Sequence, residues 1–173
     1  MRSSSKSDTQ VAVPISTYAI SIGSNRPGRH GRPEAEVIAA IRLLPNVVAV
    51  APIIASAPIG PSIRRFANTA VLIETRDDPP ALLARLKAIE REFGRRRGQR
   101  WGARVIDLDI ILWSGGSWGG AGLTVPHIGF RARRFVLDPL TRIAPGWRDP
   151  ITGLSVRQLA YRLRAVDQRA SPP

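Results

Sequence analysis

Hydrophobic and polar residues follow two different periods along the chain. Segments that are β-branched or alternate between polar and apolar residues predict four strands, at 18–22, 47–55, 69–75 and 105–113. Between them, apolar residues at helical spacing predict two helices, at 33–44 and 81–93. Prolines support both helices, because Pro45 follows the first and Pro79 and Pro80 open the second, where proline is tolerated.

The order of these elements, β-α-β-β-α-β, predicts an α+β fold. It is the order of a ferredoxin-like sandwich, with the helices on one face of an antiparallel sheet. Segments 134–143 and 155–163 predict a C-terminal elaboration of short helices. A glycine-rich stretch at 115–120 lies between two predicted strands, which favours a flexible hairpin connection over a phosphate-binding loop.

The 173 residues predict one domain, which we place at 17–165. Residues 1–16 carry charge and serines without an apolar segment, so we expect a disordered extension and no secretory signal; 166–173 predict a tail. No apolar run approaches the roughly 18 residues of a membrane helix. Cysteine is absent, which excludes disulfides and thiolate metal sites. We expect a cytoplasmic protein that does not bind membranes.

A formal net charge of +13 raises a rival interpretation, a basic ferredoxin-like module that binds nucleic acid. The 26 basic residues include only two lysines and are spread along the chain. No RNA-recognition motif of the Gly-Phe-x-Phe-Val kind is present. The sequence also excludes a P-loop and a Gly-x-Ser-x-Gly nucleophile elbow. Nucleic-acid binding is therefore the weaker alternative.

Two acids follow an arginine-rich segment and lie within an apolar strand. Asp107 and Asp109 are two residues apart, so both project from one strand face, roughly 6.6 Å apart along it. Burial of such a pair is costly unless a cation compensates it, and magnesium accepts carboxylates together with waters and substrate phosphates. The arginines that could bind those phosphates are Arg95, Arg96, Arg97, Arg100 and Arg104. We expect their loop to be mobile when empty and to close over a triphosphate.

Asp-x-Asp alone fits ordinary salt bridges beside a solvated basic loop equally well. The whole segment Arg100-Trp101-Gly102-x-Arg104-x-x-Asp107-x-Asp109, however, resembles the signature of the 6-hydroxymethyl-7,8-dihydropterin pyrophosphokinases of folate synthesis. Four other stretches resemble motifs of that family: Tyr18-Ala19-Ile20-Ser21-Ile22-Gly23-Ser24-Asn25, Ile89-Glu90 with Gly94-Arg95-x-Arg97, Leu123-Thr124-Val125-Pro126-His127, and Arg133-x-Phe135-Val136-Leu137-x-Pro139-Leu140. The resemblance covers residues 17–163, with the motifs in the family's order.

The resemblance implies transfer of a pyrophosphoryl group from ATP to 6-hydroxymethyl-7,8-dihydropterin, giving AMP and the pterin diphosphate. It implies that Asp107 and Asp109 hold two magnesium ions, and that Arg95 and Arg104 stabilise charge on the migrating group. The residues it implies for ATP binding are Arg97, Arg100, Ile110, Thr124, His127 and Arg133. We expect a monomer. For His127, a local hydrogen bond at the end of a strand is the alternative role.

The pterin ring is flat and has a guanidine-amide edge, so its pocket needs aromatic faces and an amide. By resemblance, the pterin-binding residues are Ser56, Ile59, Phe66, Asn68, Trp101 and Phe135. The two phenylalanines could also be ordinary core residues.

The chain departs from the family pattern in four places, one of which is a short arginine loop between Arg97 and Arg100. Segment 62–65 is unusually basic, Gly122 stands where a basic residue is frequent, and Ile128 stands where an aromatic is frequent. None of these involves the aspartates, so we expect the chemistry to survive while affinities shift.

Overall fold

The structure is a computed structural model that describes residues 13–56, 65–94, 105–120 and 122–170. The strands within these ranges are β1 Ser16–Ser24, β2 Val47–Val50, β3 Ile54–Ser56, β4 Phe66–Thr75, β5 Asp107–Trp113, β6 Trp118–Gly120 and β7 Leu123–Val125. The α-helices of the same ranges are α1 Pro33–Ile41, α2 Pro79–Glu92, α3 Arg134–Ile143 and α4 Val156–Ala170. A short 3-10 helix, Phe130–Ala132, precedes α3.

The main sheet is antiparallel and has the strand order β2-β4-β1-β5, with β3 also paired to β4. The prediction of one strand at 47–55 is wrong, because β2 and β3 are separate. Pro52 lies in the gap between them and has no N–H to donate to β4, which interrupts the ladder. Ala51 still donates its N–H to the carbonyl of Ala70 at 2.9 Å, so both short strands stay on one edge of β4.

Local sequence explains where the helices begin. The side chain of Asp78 accepts a hydrogen bond from the N–H of Ala81 at 2.9 Å and caps α2, which starts with two prolines. A capping box precedes α4: Ser155 Oγ accepts from the N–H of Gln158 at 3.2 Å, and the Gln158 side chain accepts from the N–H of Ser155 at 2.9 Å. The expectation of a short helix at 155–163 is wrong, because α4 continues to Ala170, into the segment that we assigned to a tail.

Helices cover both faces of the sheet. The core beneath α1 and α2 includes Ile20, Val37, Val71, Leu82 and Leu86. The core beneath α3 and α4 includes Ala19, Ala70, Leu137, Leu140 and Leu159. The expectation of helices on one face holds for α1 and α2 only. The C-terminal helices form a second layer, which buries the other face of the central strand β1. No helix of the described ranges is long and apolar enough to span a membrane.

A β-bulge divides β5 into two halves. Ala19 pairs with Leu112 and Ile20 with Ile110, so Ile111 is the extra residue. Ile111 and Leu112 both belong to the core beneath α3 and α4. The bulge separates this apolar end of β5 from the end that carries the two aspartates.

The strands β6 and β7 form a two-stranded sheet of their own. Trp113 forms a bridge with Gly116, and β6 then begins at Trp118. The expectation that 115–120 is a connection is therefore wrong for its last three residues, which are strand.

Candidate active site

The two aspartates lie on the sheet face that α3 and α4 cover. Asp109 pairs with Ser21 of β1, and Asp107 pairs with Gly23. Leu108, which lies between them, points into the core beneath α1 and α2. The strand β5 thus has the polar and apolar faces that its alternation predicts.

Asp109 lies in surroundings that oppose its ionisation. Burial first, and the charge of Asp107 second, raise the pKa of Asp109 above its usual range, although His127, Lys87 and Arg133 act in the opposite direction. A cation at the two carboxylates would favour their ionised forms, and their oxygen donors suit magnesium. The described part of the chain contains no group of three or more acidic, histidine or cysteine ligands.

A cavity of about 390 Å³ opens beside Asp109, a volume typical of small-molecule sites. Helix α2, strand β5, the β6–β7 hairpin and the loop after β7 form its walls. Three of the residues predicted to bind ATP, Ile110, Thr124 and His127, line it together with Asp109. Gly122 and Ile128, two of the departures from the family pattern, also line it, and the Ile128 side chain is 78% exposed.

Local hydrogen bonds hold His127 at the cavity. Its backbone N–H donates to the carbonyl of Ile111 at 3.1 Å, and its Nδ1 accepts from the N–H of Gly129 at 3.1 Å. Because Nδ1 is an acceptor, Nε2 carries the proton of the neutral ring. Burial lowers the pKa of His127 although Asp109 opposes the shift, and the neutral form is favoured. The cavity position and the local bonding that we considered as alternatives occur together.

Arg133 lies immediately before α3 and its charge acts on both Asp109 and His127. Its guanidinium lies 5.8 Å from the centre of the Phe135 ring. Gly129 gives the side chain room, because a Cβ at this glycine would lie 2.9 Å from Arg133 Nε. Arg133 therefore lies between the predicted ATP and pterin regions.

Asn68 anchors the predicted pterin region to the sheet. Its Nδ2 donates to Ser56 Oγ at 2.7 Å, and Ser56 pairs with Phe66 across β3 and β4. Asn68 pairs with Gly23, which pairs with Asp107 on its other side. A Cβ on Gly23 would lie 2.9 Å from Asn68 Oδ1, so glycine is needed to leave space for the amide. Asn68 and Asp107 thus flank one glycine on a single sheet face.

The two predicted stacking residues differ in their packing. Phe66 is half-buried and belongs to neither core of the described residues, so its pterin-binding role stays a prediction. Phe135 packs on the core beneath α3 and α4, as that alternative expects.

Six predicted site residues lie outside the described residues: Ile59, Arg95, Arg97, Arg100, Trp101 and Arg104. Their assigned roles stay predictions.

Sequence reasoning gave no site role to Lys87 and Glu90 of α2. Lys87 lines the cavity, and its Nζ donates to Glu90 Oε1 at 2.7 Å. The same oxygen accepts from the N–H of Leu108 at 3.0 Å, and Glu90 is fully buried. Glu90 therefore fixes the β5 backbone between the two aspartates and orients Lys87. A charged residue four positions after the core residue Leu86 is the sequence signal that could have revealed this pair.

The chain is similar to several known proteins. The model of the family 7,8-dihydro-6-hydroxymethylpterin-pyrophosphokinase (HPPK) matches residues 19–145. A 2-amino-4-hydroxy-6-hydroxymethyldihydropteridine pyrophosphokinase of Pseudomonas aeruginosa is 41% identical over 138 residues, which are 79% of this chain and 85% of the relative. The protein of the same name from Synechocystis is 42% identical over 104 residues, 60% of this chain, and the match spans about half of that relative, 53%.

Solved structures of Plasmodium falciparum HPPK-DHPS share the fold. The wild-type protein with STZ-DHP has a TM-score of 0.73 at 12% identity, and the match covers 91% of this chain and 45% of that one. The HPPK family match and the Pseudomonas relative confirm the resemblance seen in the motifs, and the nucleic-acid alternative is not favoured. The chain belongs to the 7,8-dihydro-6-hydroxymethylpterin-pyrophosphokinase family.

Proposed function

We propose that this protein transfers a pyrophosphoryl group from ATP to the hydroxymethyl oxygen of 6-hydroxymethyl-7,8-dihydropterin, with AMP as the second product. One observation carries the proposal: the strand register aligns Asp107, Asp109 and Asn68 on one sheet face, and Asp109 lines the cavity that also contains His127. Membership of the HPPK family supports the same reaction.

Asp107 and Asp109 would hold two magnesium ions. When bound, magnesium would neutralise phosphate charge and orient the attacking oxygen. The raised pKa of Asp109 supports this assignment, because burial and the charge of Asp107 leave the ionised pair in need of a cation.

The chain's own residues supply position and charge, which phosphoryl-type transfer needs more than covalent chemistry. Lys87 and Arg133, whose charges both act on Asp109, would neutralise phosphate oxygens. His127 would donate from Nε2 as a neutral group, because its Nδ1 already accepts from Gly129. Ile110 and Thr124 would contact the ribose or base, with Arg97 and Arg100 on the remaining phosphates.

Asn68 would recognise the amide edge of the pterin, since an amide both donates and accepts. Phe66, Phe135 and Trp101 would contact the ring faces, and Ser56 and Ile59 its edge. Arg95 and Arg104 would stabilise the charge on the migrating group.

The strand order β5-β1-β4-β2 supports a ferredoxin-like core for this enzyme, extended by β3, the β6–β7 hairpin and the layer of α3 and α4. The same proposal includes a cytoplasmic monomer.

The test is an assay of the purified protein with ATP, 6-hydroxymethyl-7,8-dihydropterin and magnesium, with separation of the nucleotides. We expect AMP and the pterin diphosphate in equal amounts, and no turnover after chelation of magnesium. ADP as the product, or undiminished turnover with a chelator, would contradict the proposal.

A further inference from the structure

The β6–β7 hairpin forms a wall of the cavity without belonging to the main sheet. Gly120, Gly122, Leu123 and Thr124 of this hairpin line the cavity. Its two strands pair with each other and with no other strand of the described residues. An isolated two-stranded hairpin is marginally stable in water, so contacts outside its own ladder must hold this wall in place.

Aromatic rings connect the hairpin to the sheet. The Trp118 ring meets the Trp113 ring edge-on, with centres 6.1 Å apart and planes at 73°. Trp113 in turn stacks on Tyr18, with centres 6.1 Å apart and planes at 14°. The fully buried Tyr18 donates its hydroxyl to the carbonyl of Asp77 at 2.8 Å, just before α2. These aromatic contacts therefore connect the hairpin to α2, which forms another wall of the cavity.

Glycines next to the two tryptophans leave space for their rings. A Cβ on Gly115 would lie 2.2 Å from Trp113 Cζ2, and a Cβ on Gly120 would lie 3.2 Å from Trp118 Nε1. Gly119, between Trp118 and Gly120, has no atom within 4 Å of such a Cβ. The glycines at 115 and 120 therefore have a packing role, which their neighbour at 119 lacks.

Trp118 shares one face of the hairpin with Gly120, Leu123 and Val125, because residues two apart point the same way. Val125 is buried in the core beneath α1 and α2, and Trp118 and Leu123 pack against that core. Trp118 does not line the cavity. An effect of Trp118 on a nucleotide bound in this cavity would therefore come through the position of the hairpin.

We propose that Trp118 is a positioning residue for the nucleotide, and that it acts by docking the hairpin wall on Trp113. This rests on the function proposed above. Loss of the ring should weaken ATP binding and leave the chemistry and the pterin site intact, because β1, β4 and β5 hold Asp107, Asp109 and Asn68 independently of the hairpin. The interaction is made equally in the ground state and the transition state, so KM for ATP changes and kcat does not.

The experiment compares Trp118→Leu, Trp118→Ala and Trp118→Phe with wild type. Edge-to-face aromatic pairs have energies that correspond to an increase of about two- to tenfold in KM for ATP. We expect that increase in the Leu and Ala variants, with kcat and KM for the pterin unchanged, and near-complete rescue by Phe. Trp118→Leu keeps much of the apolar volume, so a result is available even if Trp118→Ala does not fold.

Trp147→Leu is the matched control, because Trp147 packs against the other core, beneath α3 and α4. It should lower the melting temperature without changing KM for ATP. An unchanged KM for ATP in Trp118→Leu, the same increase in Trp147→Leu, or an equal change in KM for both substrates would overturn the inference.

Titration calorimetry with α,β-methylene ATP separates this inference from the proposed function. The analogue lacks the oxygen bridge that pyrophosphoryl transfer breaks, so it reports binding alone. If wild type binds the analogue but forms no AMP from ATP in the assay above, the proposed reaction is wrong, while a weaker titration of Trp118→Leu with the analogue still supports the positioning role. If wild type does not bind the analogue, both proposals are wrong.

Discussion

Two aspartates on the same side of the sheet have opposite surroundings. Asp149, before α4, is fully buried and receives two hydrogen bonds of 2.7 Å from the Arg131 guanidinium, with further bonds from Thr152 and the Ile151 N–H. Burial acts to raise its pKa, but these bonds and the charge of Arg131 lower it to about 2. Asp109 has a second carboxylate nearby, and its pKa is raised.

The difference separates a structural acid from a candidate functional one. Arg131 compensates Asp149 within the protein, so the pair stabilises the connection between α3 and α4. Asp109 is compensated only in part by Lys87, His127 and Arg133. The magnesium of the proposed function would add to this compensation.

The largest expected effect is on turnover in Asp109→Asn and Asp107→Asn. Each should reduce kcat by about 100-fold or more, because charge stabilisation at the migrating group would be lost. Their melting temperatures without ligand should be unchanged or slightly higher, since a repulsive pair is removed. Steady-state rates and thermal melts measure both. Marked destabilisation with normal kcat in the folded fraction would place Asp109 in the same structural class as Asp149.

Asp149→Asn should show the reverse pattern, a loss of stability with near-normal kcat in the folded protein. The pKa of Asp149 in the folded protein, about 2, lies below the ordinary aspartate value of 3.8. The lowered pKa stabilises the folded protein by about 2 kcal/mol. This stabilisation is fully present above about pH 4 and is lost as the pH falls towards about 2. Urea unfolding at pH 7, 4 and 2.5 should give a steeper acid loss for wild type than for the variant. If the free energy of unfolding depended on pH equally in the two proteins, the pKa of Asp149 would not be lowered by folding.

Lys87→Met sharpens the comparison, because Lys87 is a partial counter-charge to Asp109. We expect KM for ATP to rise about tenfold, the scale of one charged hydrogen bond to phosphate. Arg85→Met is the control, since Arg85 is a cation of the same helix that pairs with Asp77 at the surface. Steady-state kinetics at varied ATP concentration measure both KM values. The same KM for ATP in Lys87→Met and Arg85→Met would contradict a nucleotide role for Lys87.

Gly23→Ala should have the smallest effect, at the sheet position between Asn68 and Asp107. The new Cβ would displace the Asn68 amide, and we expect KM for the pterin to rise about threefold with KM for ATP unchanged. Gly146→Ala is the control, because no atom lies within 4 Å of a Cβ there. An unchanged KM for the pterin would remove Asn68 from the binding site.

The sequence predicted the features that depend on short-range periodicity. The shared face of Asp107 and Asp109 follows from the strand period of two, and the start of α2 follows from Pro79 and Pro80. The motif resemblance predicted the family. The roles of the individual site residues are still predictions, and those of Ile59, Arg95, Arg97, Arg100, Trp101 and Arg104 concern residues outside the described ranges.

Features that depend on long-range packing were missed. The second helical layer buries the other face of β1, and small or polar residues such as Ala19 and Ser21 do not reveal this in the sequence. The role of Lys87 depends on the meeting of α2, β5 and the hairpin at the cavity. The strand at 118–120 is supported by the contact between Trp118 and Trp113, whereas its glycines indicate a turn.

The central strand β1 also sets the distance between Asn68 and Asp107. Gly23 pairs with Asn68 on one side and Asp107 on the other, so two inter-strand spacings, about 9.6 Å, separate the proposed pterin amide contact from the first carboxylate. Backbone hydrogen bonds set this span, and no loop can adjust it. The sheet would therefore select the length of the acceptor substrate. A pterin with one extra methylene before its hydroxyl should be a poor substrate in a rate assay. Variants in the loops should not restore the turnover of this longer pterin.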